Sequence, residues 1–398
     1  MKILFDLSAT QPVSVDDFHG GAEYAKTVFY KLCELLLPEV SLEVFYDPCR
    51  NMDEELLKLC ETKLLKVNRC VNDNDINKLL YNDKYDVFFS SLPYLYYNLE
   101  IPAKTKFIYT IHGLRSLEYP ADKYMQKYLK RNSKLNIKNI LFFIFPFFMK
   151  KYYFKRDIKR LNNLFSITDN QTVITVSNHS KYAIAFFFPF LNKSQLKVLY
   201  SPAKKCNFDV NNDNEMLKSL SLEEKKYILL ICGDRSEKGA YRGCRVLYKL
   251  IKQNLIPRDI KVVITGIFGC KPYQNLVKNN SRFIFKGYVS AMELECLYKN
   301  AHLFFYPSLN EGFGYPPLEA MKYGTLCACS ANSAITEVCG DSALYFNPHD
   351  ETEMCVRILQ SFDEEIRGEK IEKSAKRRDI ISKKQIHDLD LLIKEITG

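Results

Sequence analysis

Short apolar runs alternate along the whole chain with longer stretches of helical periodicity, and each run ends in a polar or glycine-bearing loop. In the first half, residues 2–7, 42–46, 86–90, 106–111, 172–176 and 197–199 read as strands. The second half repeats the plan at 227–232, 261–265, 283–285, 303–306, 326–329 and 343–346. Strand–helix alternation of this kind is the signature of parallel α/β units. At 398 residues the chain exceeds one ordinary core, so the pattern predicts two doubly wound, Rossmann-like domains, 1–203 and 204–398. Ser201-Pro202 and the polar segment to about residue 224 form the connection. Ligands of such sheets bind beyond the carboxyl ends of the strands, and with two domains the expected site is the cleft between them. The charged tail after Glu364 reads as helical, with Ile371, Ile380, Ile381, Ile386, Leu389, Leu391 and Leu392 available for packing.

The stretch Ser308-Leu-Asn-Glu-Gly-Phe-Gly-Tyr-Pro-Pro-Leu-Glu-Ala-Met-Lys-Tyr-Gly324 carries the clearest chemistry. Gly312 and Gly314 let the backbone take positive φ and approach a ligand, while Pro316 and Pro317 suit the start of a helix. That helix is expected to run to about Tyr323 and stop at Gly324. Its free N–H groups and dipole then face the glycine loop, a setting for phosphate. Glu311 precedes the helix and Glu319 is expected in its first turn, so both reach a ligand across its N-terminus. Carboxylates accept hydrogen bonds from sugar hydroxyls and repel phosphate, so the object implied is a nucleotide bearing a sugar.

Three further features lie at strand ends. Gly233-Asp-Arg235-Ser-Glu-Lys238-Gly239 follows strand 227–232. Its two cations read either as a solvated turn or as groups that neutralise a departing diphosphate. Gly20-Gly21 precedes an apolar helical pattern and allows backbone N–H groups near a phosphate, a weak signal because no Gly-x-Gly-x-x-Gly fingerprint is present. His112 closes strand 106–111, where it serves as a structural hydrogen-bonder or contacts a sugar hydroxyl and assists proton movement. Of the other histidines, His179 also lies past a strand.

Charge changes the picture of the first half. Residues 122–160 hold twelve Lys or Arg against Asp122 and Asp157, an excess equal to the net +10 of the whole chain. Between two basic clusters lies the apolar run 140–149, with Phe142, Phe143, Phe145, Phe147 and Phe148. It is too short for a bilayer span, which needs about 20 apolar residues. A buried helix with solvated basic flanks fits it, and so does an interfacial segment; basic clusters on both sides favour an anionic membrane surface. Nucleic acid would explain the charge but not the apolar middle. Thirteen cysteines without a Cys-x-x-Cys pair, and an acidic residue, Asp6, so soon after Met1, predict reduced core thiols, no signal peptide and a cytoplasmic chain peripheral to the membrane. Metal-ligand spacing is absent from the sequence.

Taken together, these residues resemble glycosyltransferase family 4, the "group 1" glycosyltransferases of GT-B fold. The resemblance is specific across Phe285-Lys-Gly-Tyr288-Val, Leu303-Phe-Phe-Tyr-Pro-Ser308, Glu311 to Met321 and Glu337 to Pro348. It extends more weakly to Gly20-Gly21, to Ile111-His112-Gly113 and on to Pro120, to Thr175-Val-Ser177, and to Arg235 with Lys238. It implies a nucleotide-diphosphate sugar, GDP- or UDP-linked, held by the C-terminal domain, and a glycan or lipid-linked acceptor held by the N-terminal one. It implies that Glu311 holds sugar hydroxyls, that the Gly312, Phe313 and Gly314 backbone meets sugar and phosphate, and that Glu319 binds the ribose. It further implies that Arg235 and Lys238 hold the diphosphate with Gly20 and Gly21, that His112 contacts the reacting sugar, and that loop shape around Tyr288 and Phe313 sets donor choice. Retention of configuration, with no metal and no cofactor, is the family's usual chemistry. Three departures stand out: Gly113 where many members have Asp, Gly239 where Asn is frequent, and Leu326 after Thr325 where Pro is frequent.

The expectation is a retaining hexosyltransferase, mannose first among donors, in surface polysaccharide or lipopolysaccharide biosynthesis. A nucleotide-sugar isomerase or epimerase on the same scaffold would convert donor with no acceptor present. A non-catalytic, membrane-associated glycan-binding protein would carry a decayed site, against which Glu311, Glu319, Arg235 and Lys238 all stand intact.

Overall fold

A computed structural model describes residues 1–12, 20–119, 122–128, 146–203, 213–267 and 269–398. Side chains at 146–149 and 214 are outside the description, as are the expected apolar run up to residue 145 and the cations Lys130, Arg131, Lys134 and Lys138. The chain divides into two compact units. The first comprises residues 1–114, 155–206 and 382–398, and the second 115–154 and 207–381.

The first unit is built on a parallel sheet of β1 (Lys2–Asp6), β2 (Ser41–Tyr46), β3 (Lys66–Arg69), β4 (Val87–Ser90), β5 (Lys106–Ile111), β6 (Gln171–Thr175) and β7 (Leu196–Val198), in the order β3-β2-β1-β4-β5-β6-β7. The second unit holds β8 (Tyr227–Leu230), β9 (Lys261–Ile264), β10 (Phe283–Phe285), β11 (Leu303–Tyr306), β12 (Leu326–Ser330) and β13 (Leu344–Phe346), in the order β10-β9-β8-β11-β12-β13. The central strands β4, β8, β11 and β12 are buried at every residue. Helices cover both faces of a parallel sheet, so its strands read as continuous apolar runs rather than alternating ones. Strand β3 was absent from the sequence expectation. It is a sheet edge with one apolar residue, Val67, and three of its four residues are exposed, so no burial pattern marks it.

Both sheets reverse direction of winding in their middle, between β1 and β4 and between β8 and β11. Loops leaving the carboxyl ends of those neighbouring strands diverge, and a crevice opens between them. In the second unit β11 pairs with β8 through Leu303 opposite Ile228 and Phe304 opposite Leu229. The loops after Leu230 and after Tyr306 therefore start side by side, although more than seventy residues of chain separate them.

A single cut at residue 203 does not describe the units. Residues 115–154 group with the second unit, where Asp122 Oδ1 lies 2.5 Å from Arg242 Nη2, Tyr128 OH accepts from Tyr241 N at 2.9 Å, and Tyr124 OH donates to Glu351 at 3.2 Å. The expected helical tail is one helix, Glu364–Thr397, whose residues from Ser382 onward group with the first unit. There Glu395 pairs with Lys106 at 2.9 Å and Lys197 at 2.5 Å, and Asp388 accepts from Tyr200 N at 2.8 Å. Ile381, Leu392, Ile393 and Ile396 are buried, but Ile380, Ile386 and Leu391, expected to pack, are exposed because they lie off the docked face. Twelve described cysteines are free thiols, nine of them buried. Among the described residues no helix is long and apolar enough to cross a membrane.

Candidate functional site

The two loops at the reversal point of the second sheet meet through four side chains. Lys238 Nζ donates to Glu311 Oε1 at 2.6 Å, Tyr306 OH donates to the same oxygen at 2.5 Å, and Ser308 Oγ at 2.7 Å. All three bonds end on Oε1, and among the described residues no donor sits on Oε2. The carboxylate is thus fixed by one oxygen and presents the other. Lys238 and Glu311 side chains are only 8% and 10% exposed, so water screens the pair weakly. Burial alone would raise the Glu311 carboxyl; the charge of Lys238 and the three hydrogen bonds outweigh it and hold the group below the usual carboxylate range. Glu311 is therefore ionised at neutral pH, an acceptor and not a proton donor.

Backbone geometry sets this cluster. Lys238 closes a short 3-10 turn, and Gly239 follows with φ +67° as the entry to helix Ala240–Lys252. A Cβ built on Gly239 would stand 2.1 Å from Pro307 O, so at this position the loop after β8 touches the loop after β11 with no room for a side chain. Leu309 N donates to Glu237 O at 2.7 Å and Ser308 Oγ to the same carbonyl at 3.2 Å, closing the contact. Gly314, at φ +108°, caps helix Tyr315–Lys322, which ends at Tyr323 and Gly324 as its glycine predicts. Glu319 lies in the second turn of that helix rather than the first, half-buried beside Tyr298. Burial, and then the Glu319 charge, push the Tyr298 hydroxyl well above its usual range. Phe313 is buried against Tyr315, with ring centres 5.3 Å apart, whereas Tyr288 is 65% exposed.

Arg235 is held by a residue that sequence reasoning passed over. Glu237 Oε1 lies 2.7 Å from Arg235 Nη2 and 2.9 Å from Arg115 Nη1. Burial would raise the Glu237 carboxyl, but Arg115 and Arg235 draw it below the usual range. Only its position beside Arg235 and Lys238 hinted at this, and a three-residue spacing says nothing of which cation a carboxylate meets. Asn310 Nδ2 donates to Glu118 at 3.2 Å on the same side, so residues 115–118 border the cluster.

The sequence profile described as Glycosyl transferases group 1 matches residues 212–378, the stretch that contains all of these groups except Arg115 and Glu118. Residues 212–378 belong to the glycosyl transferases group 1 family. The O-antigen chain mannosyltransferase RfbU of Salmonella typhimurium is 29% identical over 231 residues, 56% of this chain and 59% of that protein. The match thus spans a little over half of that curated relative. Among solved structures, that of Anabaena Alr3699/HepE in complex with UDP and glucose superposes with a TM-score of 0.65 at 14% identity, over 100% of this chain and 99% of that one. WaaG, a glycosyltransferase involved in lipopolysaccharide biosynthesis, gives 0.62 at 13% identity over 100% of each chain. The fold is the GT-B fold of these proteins.

The remaining group 1 expectations fall in the first unit. Gly20 and Gly21 are the first two residues of helix Gly20–Glu34, with Gly20 exposed. His112 follows β5; its Nε2 is 3.0 Å from Ser91 O, and its ring meets Tyr24 edge-on at 4.8 Å. Thr110 Oγ1 donates to the Tyr24 hydroxyl at 3.2 Å, so the histidine ring is seated on a bonded tyrosine. Gly113 has φ +141°, a conformation open to glycine and strained for the Asp that many family members carry.

Proposed function

We propose that this protein is a retaining, metal-independent hexosyltransferase that moves mannose from a nucleotide-diphosphate sugar to a glycan or lipid-linked acceptor during surface polysaccharide or lipopolysaccharide synthesis. The observation that carries the reading is the ionised Glu311, fixed through Oε1 by Lys238, Tyr306 and Ser308 and presenting Oε2 at the crevice of a group 1 domain. An oxygen with no donor of its own is suited to a sugar hydroxyl. Glu319, one helix turn into Tyr315–Lys322, is assigned to the ribose, and the Gly312 to Gly314 backbone to sugar and phosphate. Mannose is favoured by the mannosyltransferase relative. A nucleotide-diphosphate donor is favoured by the fold neighbour that holds UDP and glucose.

In the proposed reaction the bond from the anomeric carbon to the diphosphate oxygen breaks as the acceptor oxygen bonds to that carbon from the same face. The acceptor hydroxyl gives its proton to the departing phosphate oxygen. Arg235 and Lys238 stabilise the charge left on the diphosphate, as a divalent ion does elsewhere, because preorganised cations in a shielded site need no reorganisation. Gly20, Gly21 and His112 are assigned from the first unit to phosphate and sugar. Glu311→Ala should abolish transfer while leaving nucleoside diphosphate bound. Arg235→Ala should weaken binding of the diphosphate itself, measured by calorimetry on GDP and UDP. Full transfer by the first variant, or unweakened binding by the second, removes the assignment.

We assign the cations of 122–160 to an anionic membrane surface on the cytoplasmic side. Lys150, Lys151, Lys155 and Arg156 are exposed along helix Pro146–Phe165. Binding to vesicles with anionic lipid should fall with salt and on neutralising these four. Equal binding to neutral vesicles excludes the electrostatic account.

A further inference from the structure

The first unit carries a cavity of about 430 Å³ between the loop after β4 and helix Pro146–Phe165, lined by none of the residues assigned to the donor. One wall is basic. Arg156, Lys159 and Arg160 stand at the i, i+3, i+4 spacing that puts side chains on one helix face, and among the described residues no carboxylate lines the cavity. The opposite wall is Pro93, Tyr94, Tyr96 and Tyr97, and Leu99, Leu161 and Leu164 are buried beneath.

The state of each cation indicates what the cavity takes. Arg156 is partly answered by Asp157 at 2.6 Å. Arg160 instead lies over the Tyr97 ring, 4.2 Å from guanidinium carbon to ring centre. Stacking orients the guanidinium plane but supplies no hydrogen-bond acceptor, and the buried Arg160 Nε has no partner among the described residues. A buried donor left unmade is costly, and an entering anion would remove that cost. The planar fork of a guanidinium matches phosphate bidentately, and Lys159 adds a second charge. A bare phosphate would leave the leucines and most of the volume unused. The cavity lies in the range of about 300–1,000 Å³ that small-molecule sites occupy.

We propose that this cavity binds the phosphoryl group of a lipid phosphate, with Arg160 and Lys159 on the phosphate and the first carbons of the apolar chain against Leu99, Leu161 and Leu164. The site is separate from the donor chemistry, and the transfer reading stands or falls without it.

The test is calorimetry on the full chain with decyl phosphate below its micelle concentration, inorganic phosphate and decyl maltoside. Decyl phosphate should bind one to one, and at least about tenfold more tightly than inorganic phosphate, since charge and apolar contacts act together. Lys159→Gln, at an exposed position that leaves the fold alone, and Arg160→Gln should each weaken decyl phosphate about tenfold, the loss of one charge-assisted contact. Thermal melting of the variants confirms that they are folded. Two results overturn the proposal: inorganic phosphate or decyl maltoside binding as well as decyl phosphate, or wild-type affinity in both variants. Dihexanoyl phosphatidic acid separates the sources. Equal binding of it identifies a bilayer phospholipid, and preference for decyl phosphate identifies a single-chain lipid phosphate.

Discussion

Replacing Lys238 by methionine keeps the length of the side chain and removes its charge, leaving Glu311 with Tyr306 and Ser308 alone. Both members of the pair are about nine-tenths buried, so the carboxylate cannot recover its lost partner from water. Breaking one side of a buried pair typically costs about 3–5 kcal/mol. For a domain of this size, at about 2–4 °C per kcal/mol, that lowers the melting temperature by about 6–20 °C. The pH dependence gives the sharper check. In the wild type the Glu311 carboxyl is depressed, so it contributes stability that is fully present above the unfolded carboxyl value of about 4.3 and is lost as pH falls through the lower folded value. In Lys238→Met burial becomes the dominant influence and raises the carboxyl, so the folded variant takes up a proton before the unfolded chain does. Its stability is then regained as pH falls through the raised value. The gap between wild type and variant should therefore narrow on going from about pH 7 to about pH 4, followed by scanning calorimetry of the full chain. Two transitions are expected from two units, and the comparison uses the one that shifts. A gap below about 1 kcal/mol at neutral pH, the worth of an exposed pair, or a gap that widens with acid, would refute the reasoning.

Gly239→Ala forces a Cβ to within 2.1 Å of Pro307 O at a φ of +67°. Beyond the about 1–2 kcal/mol of left-handed backbone strain, the loop bearing Ser308 must move, so calorimetry should find weaker nucleoside diphosphate binding. Asp122→Ala leaves Arg242, which is fully buried, without its carboxylate. The expected loss is about 3–5 kcal/mol, read from denaturant unfolding; a loss under about 1 kcal/mol would mean that Tyr124, 5.0 Å from the guanidinium, holds the charge alone. Glu395, drawn down to about 2 against the effect of burial by hydrogen bonds from Lys197, Lys106 and Thr172, contributes stability that disappears as pH falls from the ordinary carboxylate range to about 2. Glu395→Gln should flatten that part of the acid-unfolding curve, and an unchanged curve would contradict the docking of the terminal helix.

Much of this protein was legible from residues 2–7 onward because buried parallel strands must be apolar on both faces, and a continuous apolar run bounded by glycine or polar residues survives as a pattern in sequence. Twelve of the thirteen strands showed this pattern in the sequence; β3, a polar edge, did not. Glycine chemistry was equally local: Gly314 before a helix and Gly324 after it need only positive φ, which no neighbour in space decides. The sequence alone therefore determined the class of fold, the loops that carry Lys238 and Glu311, and the charge excess of 122–160. What it left undecided was which strand lies beside which. Only the placing of β11 against β8 brings Lys238 to within 2.6 Å of Glu311, sets Pro307 against Gly239, and ranges Glu237 between two arginines. Strand order rests on many weak packing terms spread over the whole sheet, and no spacing along the chain records them. The same holds for the terminal helix, whose apolar residues gave a list but not a face: docking of Asp388 and Glu395 chose Leu392 and Ile396 for burial and left Ile380 and Ile386 to solvent.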